Sequence, residues 1–300
     1  MAFSLAESLD SFIKKHDNRQ LLTIPITVFV LSILVLAFTF ASTGAPVNLG
    51  MEFKGGTMIA VTTGESTLSI EAKYSEYPII DARSAGERVM MRFGPMDNKV
   101  QRALEDDITS SYSDVEIKQI GAVYGSALQL QALKAVVISF LGMATVVFLI
   151  FRTAVPSIAV VLSALSDITI AAAFMNLAGI QLSLGTVAAL LMLIGYSVDS
   201  DILLTTRVLK RRGTVEEKVS RAMHTGITMT TTTLAALVVM YLVSTYSYLI
   251  FSSLPQISLL SDISIVLIFG LAADIMNTWL LNTAILRWHV EGLSQGRRKA

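Results

Sequence analysis

The chain has no cysteine and only three histidines among its 300 residues. The first absence excludes disulfides, thiolate metal sites and cysteine nucleophiles. The three histidines, His16, His224 and His289, are scattered without metal-ligand spacing, and none lies deep in an apolar run where it could activate a serine or threonine. No metal, no cofactor and no enzymatic active site is therefore expected. Charge is scarce as well: 15% of residues are charged and 53% are hydrophobic. So few charges cannot coat a soluble globule of this length. The formal net charge is zero, which gives no reason to expect a nucleic-acid partner.

What is present is apolar length. Runs of roughly 20 apolar residues, enough to cross about 30 Å of hydrocarbon, are centred on residues 21–41, 132–151, 155–177, 182–204, 226–248 and 257–286. The start, MAFSLAESLDSFIKKHDNRQ, is mixed in charge and lacks a small-residue cleavage site, so the first run reads as a retained span. Basic residues mark alternate span ends: Lys14, Lys15 and Arg19; Arg152; Arg207, Lys210, Arg211, Arg212, Lys218 and Arg221; Arg287, Arg297, Arg298 and Lys299. The opposite turns, near 176–181 and 247–256, carry none. This asymmetry predicts residues 1–20 and 287–300 in the cytoplasm of a cell-membrane protein, with residues 42–128 outside. The helical region then runs over 129–286.

The outer segment has a soluble composition. Residues 51–63 read as a strand after their glycine turn, 88–93 and 115–120 as further strands, and 98–109 as a helix with Val100, Leu104 and Ile108 on one face. Strands bracketing a helix predict a small α+β domain of ferredoxin-like type. The paired glycines of EFKGGT (52–57) follow no strand–helix phosphate cradle, so they do not form a P-loop.

Carboxylates inside the spans are the most informative feature. Asp167 lies near the middle of the third span, Asp199 and Asp201 lie in the fourth, and Asp274 near the middle of the sixth. Each costs about 2.5–3.5 kcal/mol at a helix centre, which makes it a functional candidate by default. At 1.5 Å per residue, Asp199 is about 12 Å from Arg207 and Asp274 about 20 Å from Arg287. Asp199 and Asp201 point about 200° apart, so only one of them faces the bundle interior. Asp199 is the deeper and is expected to be that one, with Asp201 directed to a cytoplasmic vestibule. Asn277, Thr278 and Ser163 would support the carboxyls, as would Thr230 within the hydroxyl-rich wall of the fifth span. Gly185, Ala189 and Gly195 would allow close helix approach. Acids so placed could load a proton from one side and release it to the other, or could remain protonated as interhelical hydrogen-bond donors.

One span, an outer α+β domain and five further spans resemble the SecF members of the SecD/SecF protein-export family, within the RND superfamily. NLGMEFKGGT (48–57), with Glu52, Phe53, Gly55 and Gly56, resembles that family's first signature. IGAVYGSAL (120–128) is similar to the stretch leading into its second span, and GYSVDSD (195–201) followed by Arg207 to its fourth-span motif. Asp167 sits where the third span of the family carries a His-Asp pair. Bacterial members have Asn-Asp at the position of Asp199-Ser200 and an arginine in the fifth span, where this chain has threonines. The pattern resembles the archaeal branch, and a relay built on an Asp–Arg pair is not implied. The resemblance implies an accessory subunit that pairs with SecD beside the Sec translocon channel in membrane lipid. It would use the proton motive force on unfolded exported polypeptides. A passive scaffold for SecD is the main alternative. An intramembrane aspartyl protease would need Tyr-Asp and Gly-x-Gly-Asp motifs, which do not occur. A self-contained small-molecule exporter would need twelve spans.

Overall fold

A computed structural model describes residues 2–85, 87–250 and 258–299. Most of the expected 247–256 turn lies outside the described residues. Six of the described helices are long and apolar enough to cross a membrane.

Residues 1–20, expected as a cytoplasmic tail, contain an amphipathic helix. This helix, α1 (Ala2–Lys15), buries Ala6 and Ile13 and ends on Lys14 and Lys15, where cations suit the helix dipole. Asp10 joins it to Ser220, and Arg287 donates to the Ile13 carbonyl at 3.0 Å. Helix α2 (Asn18–Thr43) starts where the Gln20 side chain accepts from the Asp17 amide, and it stops at Gly44 in the left-handed conformation.

The chain then enters the small α+β domain, named the outer domain after the expectation above, through α3 (Met51–Lys54). The domain comprises β1 (Gly56–Thr62), α4 (Thr67–Lys73), β2 (Ile79–Ala85), β3 (Arg88–Phe93), α5 (Asn98–Ser111) and β4 (Glu116–Ile120). The sheet order is β2-β3-β1-β4, antiparallel throughout, which is the ferredoxin-like arrangement expected. Alternation along β1 and β3 places Ile59, Val61, Val89, Met91 and Phe93 on one face, beneath Ile70 and Tyr74 of the α4 region and Leu104 and Ile108 of α5. The α5 stripe differs from expectation. Val100 is exposed, and Gln101 takes its place, bonding Glu105 and Gln119. An i, i+3, i+7 face lies closer to 3.6 periodicity than the i, i+4, i+8 face first read.

The remaining spans are α6 (Ala122–Phe151), α7 (Ala154–Leu177), α8 (Leu184–Lys210), α9 (Val215–Ile250) and a last helix in two parts, α10 (Ser258–Met276) and α11 (Thr283–Lys299). A single widened π turn, Asn277–Asn282, joins those parts. Helices α7 and α8 are the most enclosed and α6 the least. Gly185 lets α8 meet α10 so closely that a β-carbon there would collide with Leu259. Gly195 does not do this: it faces open space, contrary to the expectation of close packing.

The glycine-rich signature is a joint between domain and bundle. Gly55 and Gly56 have φ of 81° and 140°, and a side chain on Gly56 would strike the Phe93 carbonyl. Phe53 is buried and its carbonyl accepts from Gln129 on α6 at 2.7 Å, while Gly125 leaves room for that contact. On the other side, Asn48 and Gly50 pair through their backbones with Leu182 in the α7–α8 loop. Asn176 accepts from the Asn48 amide and donates to Thr39 and Pro46.

Candidate functional site

Three helices bring their polar residues to one buried centre. Asp167 comes from α7, Ser197, Ser200 and Asp201 from α8, and Asp274, Asn277, Thr278 and Asn282 from the last helix across its π turn. Asp167 and Asp201 have no exposure and Asp274 has 1%. Asp167 accepts from Ser197 at 2.5 Å and from Asn277 Nδ2 at 2.6 Å. Asp201 Oδ1 accepts from Asn282 Nδ2 at 2.8 Å. The Ser200 hydroxyl lies 2.9 and 3.1 Å from the two oxygens of Asp274.

Thr278 is the link. Its hydroxyl lies 2.8 Å from Asp201 Oδ1 and 3.0 Å from Asp274 Oδ1. A hydroxyl has one hydrogen to give and lone pairs to receive with. It can therefore donate to one carboxyl while accepting from the other, provided the second carries a proton. Among the described residues, no ion pair joins Asp167, Asp201 or Asp274 to a lysine or arginine. Their hydrogen-bond partners are hydroxyls and amides.

The expected orientation of the fourth span is reversed. Asp201 faces the interior, and Asp199 is exposed on the opposite face of α8 with Met192 and Tyr196. The 200° separation holds, but depth along the axis does not decide which side turns inward. The buried stripe runs Leu193, Ser197, Asp201 and Thr205 at i, i+4 spacing, and it continues the small residues Gly185 and Ala189. That stripe is visible in the sequence and would have favoured Asp201.

Asn277 and Thr278 join the centre as expected, and Ser163 is fully buried beside Asp201. Thr230 does not join it. Its hydroxyl bonds Gly226 O on its own helix at 3.1 Å, as Thr228, Thr231, Thr232 and Thr233 bond their own preceding turns. Without a strong external partner, a helical threonine satisfies itself this way. The sequence reading missed Asn282, eight positions after Asp274 and so about 80° away around a regular α-helix. The π turn advances less per residue and carries Asn282 back toward Asp274 and Asp201. Arg207 lies outside the cluster and ties α8 to α9 through the Arg221 carbonyl and Thr225.

Comparison with known proteins agrees with this architecture. Residues 99–292 match the family model described as protein export membrane protein SecD/SecF, C-terminal. The protein-export membrane protein SecF of Methanolacinia petrolearia is 48% identical over 93% of this chain and 96% of its own. Its counterpart from Haloferax volcanii is 44% identical over 94% and 96%, and that from Pyrococcus furiosus 42% over 91% and 92%. The fold is similar to the crystal structure of SecDF, a translocon-associated membrane protein from Thermus thermophilus, with a TM-score of 0.69 at 20% identity over 93% of this chain. This chain spans 38% of that longer protein. With six membrane-length helices around a buried carboxyl centre, and relatives of archaeal type along nearly its whole length, the chain belongs to the SecD/SecF family of protein-export membrane proteins.

Proposed function

We propose that this accessory subunit of the protein-export machinery carries protons through the Asp201–Thr278–Asp274 bridge, with Asp167 as a third carboxyl, to drive movement of its outer domain. The supporting observation is one hydroxyl within hydrogen-bond reach of two buried carboxyls. Moving a single proton across such a bridge swaps which carboxyl is neutral. Each swap changes the pairing of α8 with the last helix, and α8 leads directly to the 182–183 loop on which the outer domain rests. The membrane potential supplies about 2.3 kcal/mol per charge per 100 mV.

In this reading the chain sits in the cell membrane with both termini in the cytoplasm, and residues 42–128 handle unfolded polypeptide on the outer side. Its partner at the translocon channel is SecD. The open face of α8 supports a protein partner. Asp199 lies about 12 Å inside the span and cannot be left facing hydrocarbon, so the Met192–Tyr196–Asp199 face is assigned to that contact.

The test is gradient-driven export in vesicles containing this chain, SecD and the channel. Asp201→Asn and Asp274→Asn should each abolish the gradient-dependent component while leaving complex assembly intact. A second reading is a scaffold whose carboxyls only hold helices together. Undiminished gradient dependence in both variants would establish that reading instead.

A further inference from the structure

At the end of α8 farthest from the outer domain, five cationic side chains converge on one cavity. Arg207, Arg211, Arg212, Lys218 and Arg221 line a space of about 270 Å³ between the end of α8 and the start of α9. Two of them are fixed by the fold. Arg207 is held by the Arg221 carbonyl at 2.9 Å and by Thr225 at 3.1 Å, and Lys218 by the Val208 carbonyl at 3.1 Å. Arg211 and Arg212 are exposed at the mouth of the cavity. Among the described residues only Glu217 forms an ion pair with any of the five, at 3.9 Å from Arg221.

Orienting a membrane protein needs basic residues near a span end, but it does not need them to surround one cavity. Like charges gathered this closely repel one another unless an anion neutralises them. Guanidinium forks match the paired oxygens of a phosphate, and the lysine adds a point charge. The cavity also sits between the adjoining ends of two helices long and apolar enough to cross a membrane, where a lipid headgroup would meet them.

We propose that this cavity is a phosphate-binding site whose occupant is the headgroup of an anionic phospholipid. The assignment rests on the topology proposed above only for which leaflet supplies the lipid. It is independent of the carboxyl bridge.

Native mass spectrometry of the full chain taken from phosphatidylglycerol–phosphatidylcholine vesicles tests it. The unaltered chain should retain phosphatidylglycerol in preference to phosphatidylcholine. An Arg211→Gln/Arg212→Gln double variant should bind it about thirtyfold more weakly, the effect of removing two surface-lipid charges. Neither arginine holds another residue in place, and Lys218→Gln provides an independent variant of the same cavity. Equal retention by all three proteins, or equal retention of the two lipids, would overturn the proposal. Inorganic phosphate added alone distinguishes the sources. If it binds the unaltered chain and displaces no lipid, the lipid assignment is wrong.

Discussion

The outer domain and the membrane bundle bury opposite things. The domain hides Ile59, Met91, Phe93 and Leu104 and turns its charges outward, whereas the bundle encloses carboxyls, hydroxyls and amides and exposes Leu34, Phe38, Leu141 and Leu149. Each arrangement follows from its surroundings. In water, apolar area drives folding at about 25 cal/mol per Å². In hydrocarbon that drive vanishes between helices, and small residues and hydrogen bonds hold the bundle instead. The domain interior therefore encloses no carboxyl among the described residues, while the bundle centre gathers three carboxyls among hydroxyls and amides.

The sharpest way to break this comparison is to alter charge inside the bundle and then on the open face of α8. Gradient-driven export should be lost in Asp201→Asn and Asp274→Asn, whereas Asp199→Asn should leave the bundle as stable as before and affect only partner contact, read by copurification. Second in size is the joint between the regions. Gly56→Val should break the pairing of β1 with β3 next to the joint and loosen the domain, since it combines a φ of 140° with a collision at the Phe93 carbonyl. Protease accessibility of residues 42–128 would report the failure. Third, Ile59→Ala in the domain core should cost about 2–5 kcal/mol of domain stability in a denaturant melt. Thr278→Val should cost about 1–3 kcal/mol of bundle stability through its bereft carboxyl partners, while Thr230→Val changes little because its hydroxyl bonds only its own helix.

The smallest effect concerns acid. Burial pushes the Asp81 carboxyl up, but the charge-assisted bonds from Arg92 outweigh it and hold it below the usual carboxylate range, with Arg83 adding to the effect. A carboxyl lowered on folding stabilises the folded state above its unfolded value, and that contribution disappears as pH falls through the folded one. Asp81→Asn should therefore cost the domain about 1–2 kcal/mol at neutral pH, and less as the pH is lowered below the usual carboxylate range. Domain melts at neutral and acid pH check this.

Much of the architecture was legible. Six spans emerge from apolar length alone, and β1, β3 and β4 from short runs of β-branched and apolar residues. Strand β2 and helix α4 were not legible, because IIDARSA and TLSIEAK are short and mixed and take their form from pairing with β3 and from packing on Ile70 and Tyr74. The presence of Asp167, Asp201 and Asp274 in the spans was legible. Their mutual reach was not, because a 100° step per residue makes rotation about each axis decisive. The π turn at Asn277–Asn282 leaves no single-residue signal at all.

The order of residues alone determined that this chain crosses a membrane, where its soluble domain lies along it and which spans carry acids, because transfer free energy accumulates along a segment whatever its neighbours are. Only the tertiary structure decided that Asp201 rather than Asp199 turns inward, and that Thr278 stands between two carboxyls. Those outcomes depend on how several helices share one interior, where each can offer a face only if the others leave room for it.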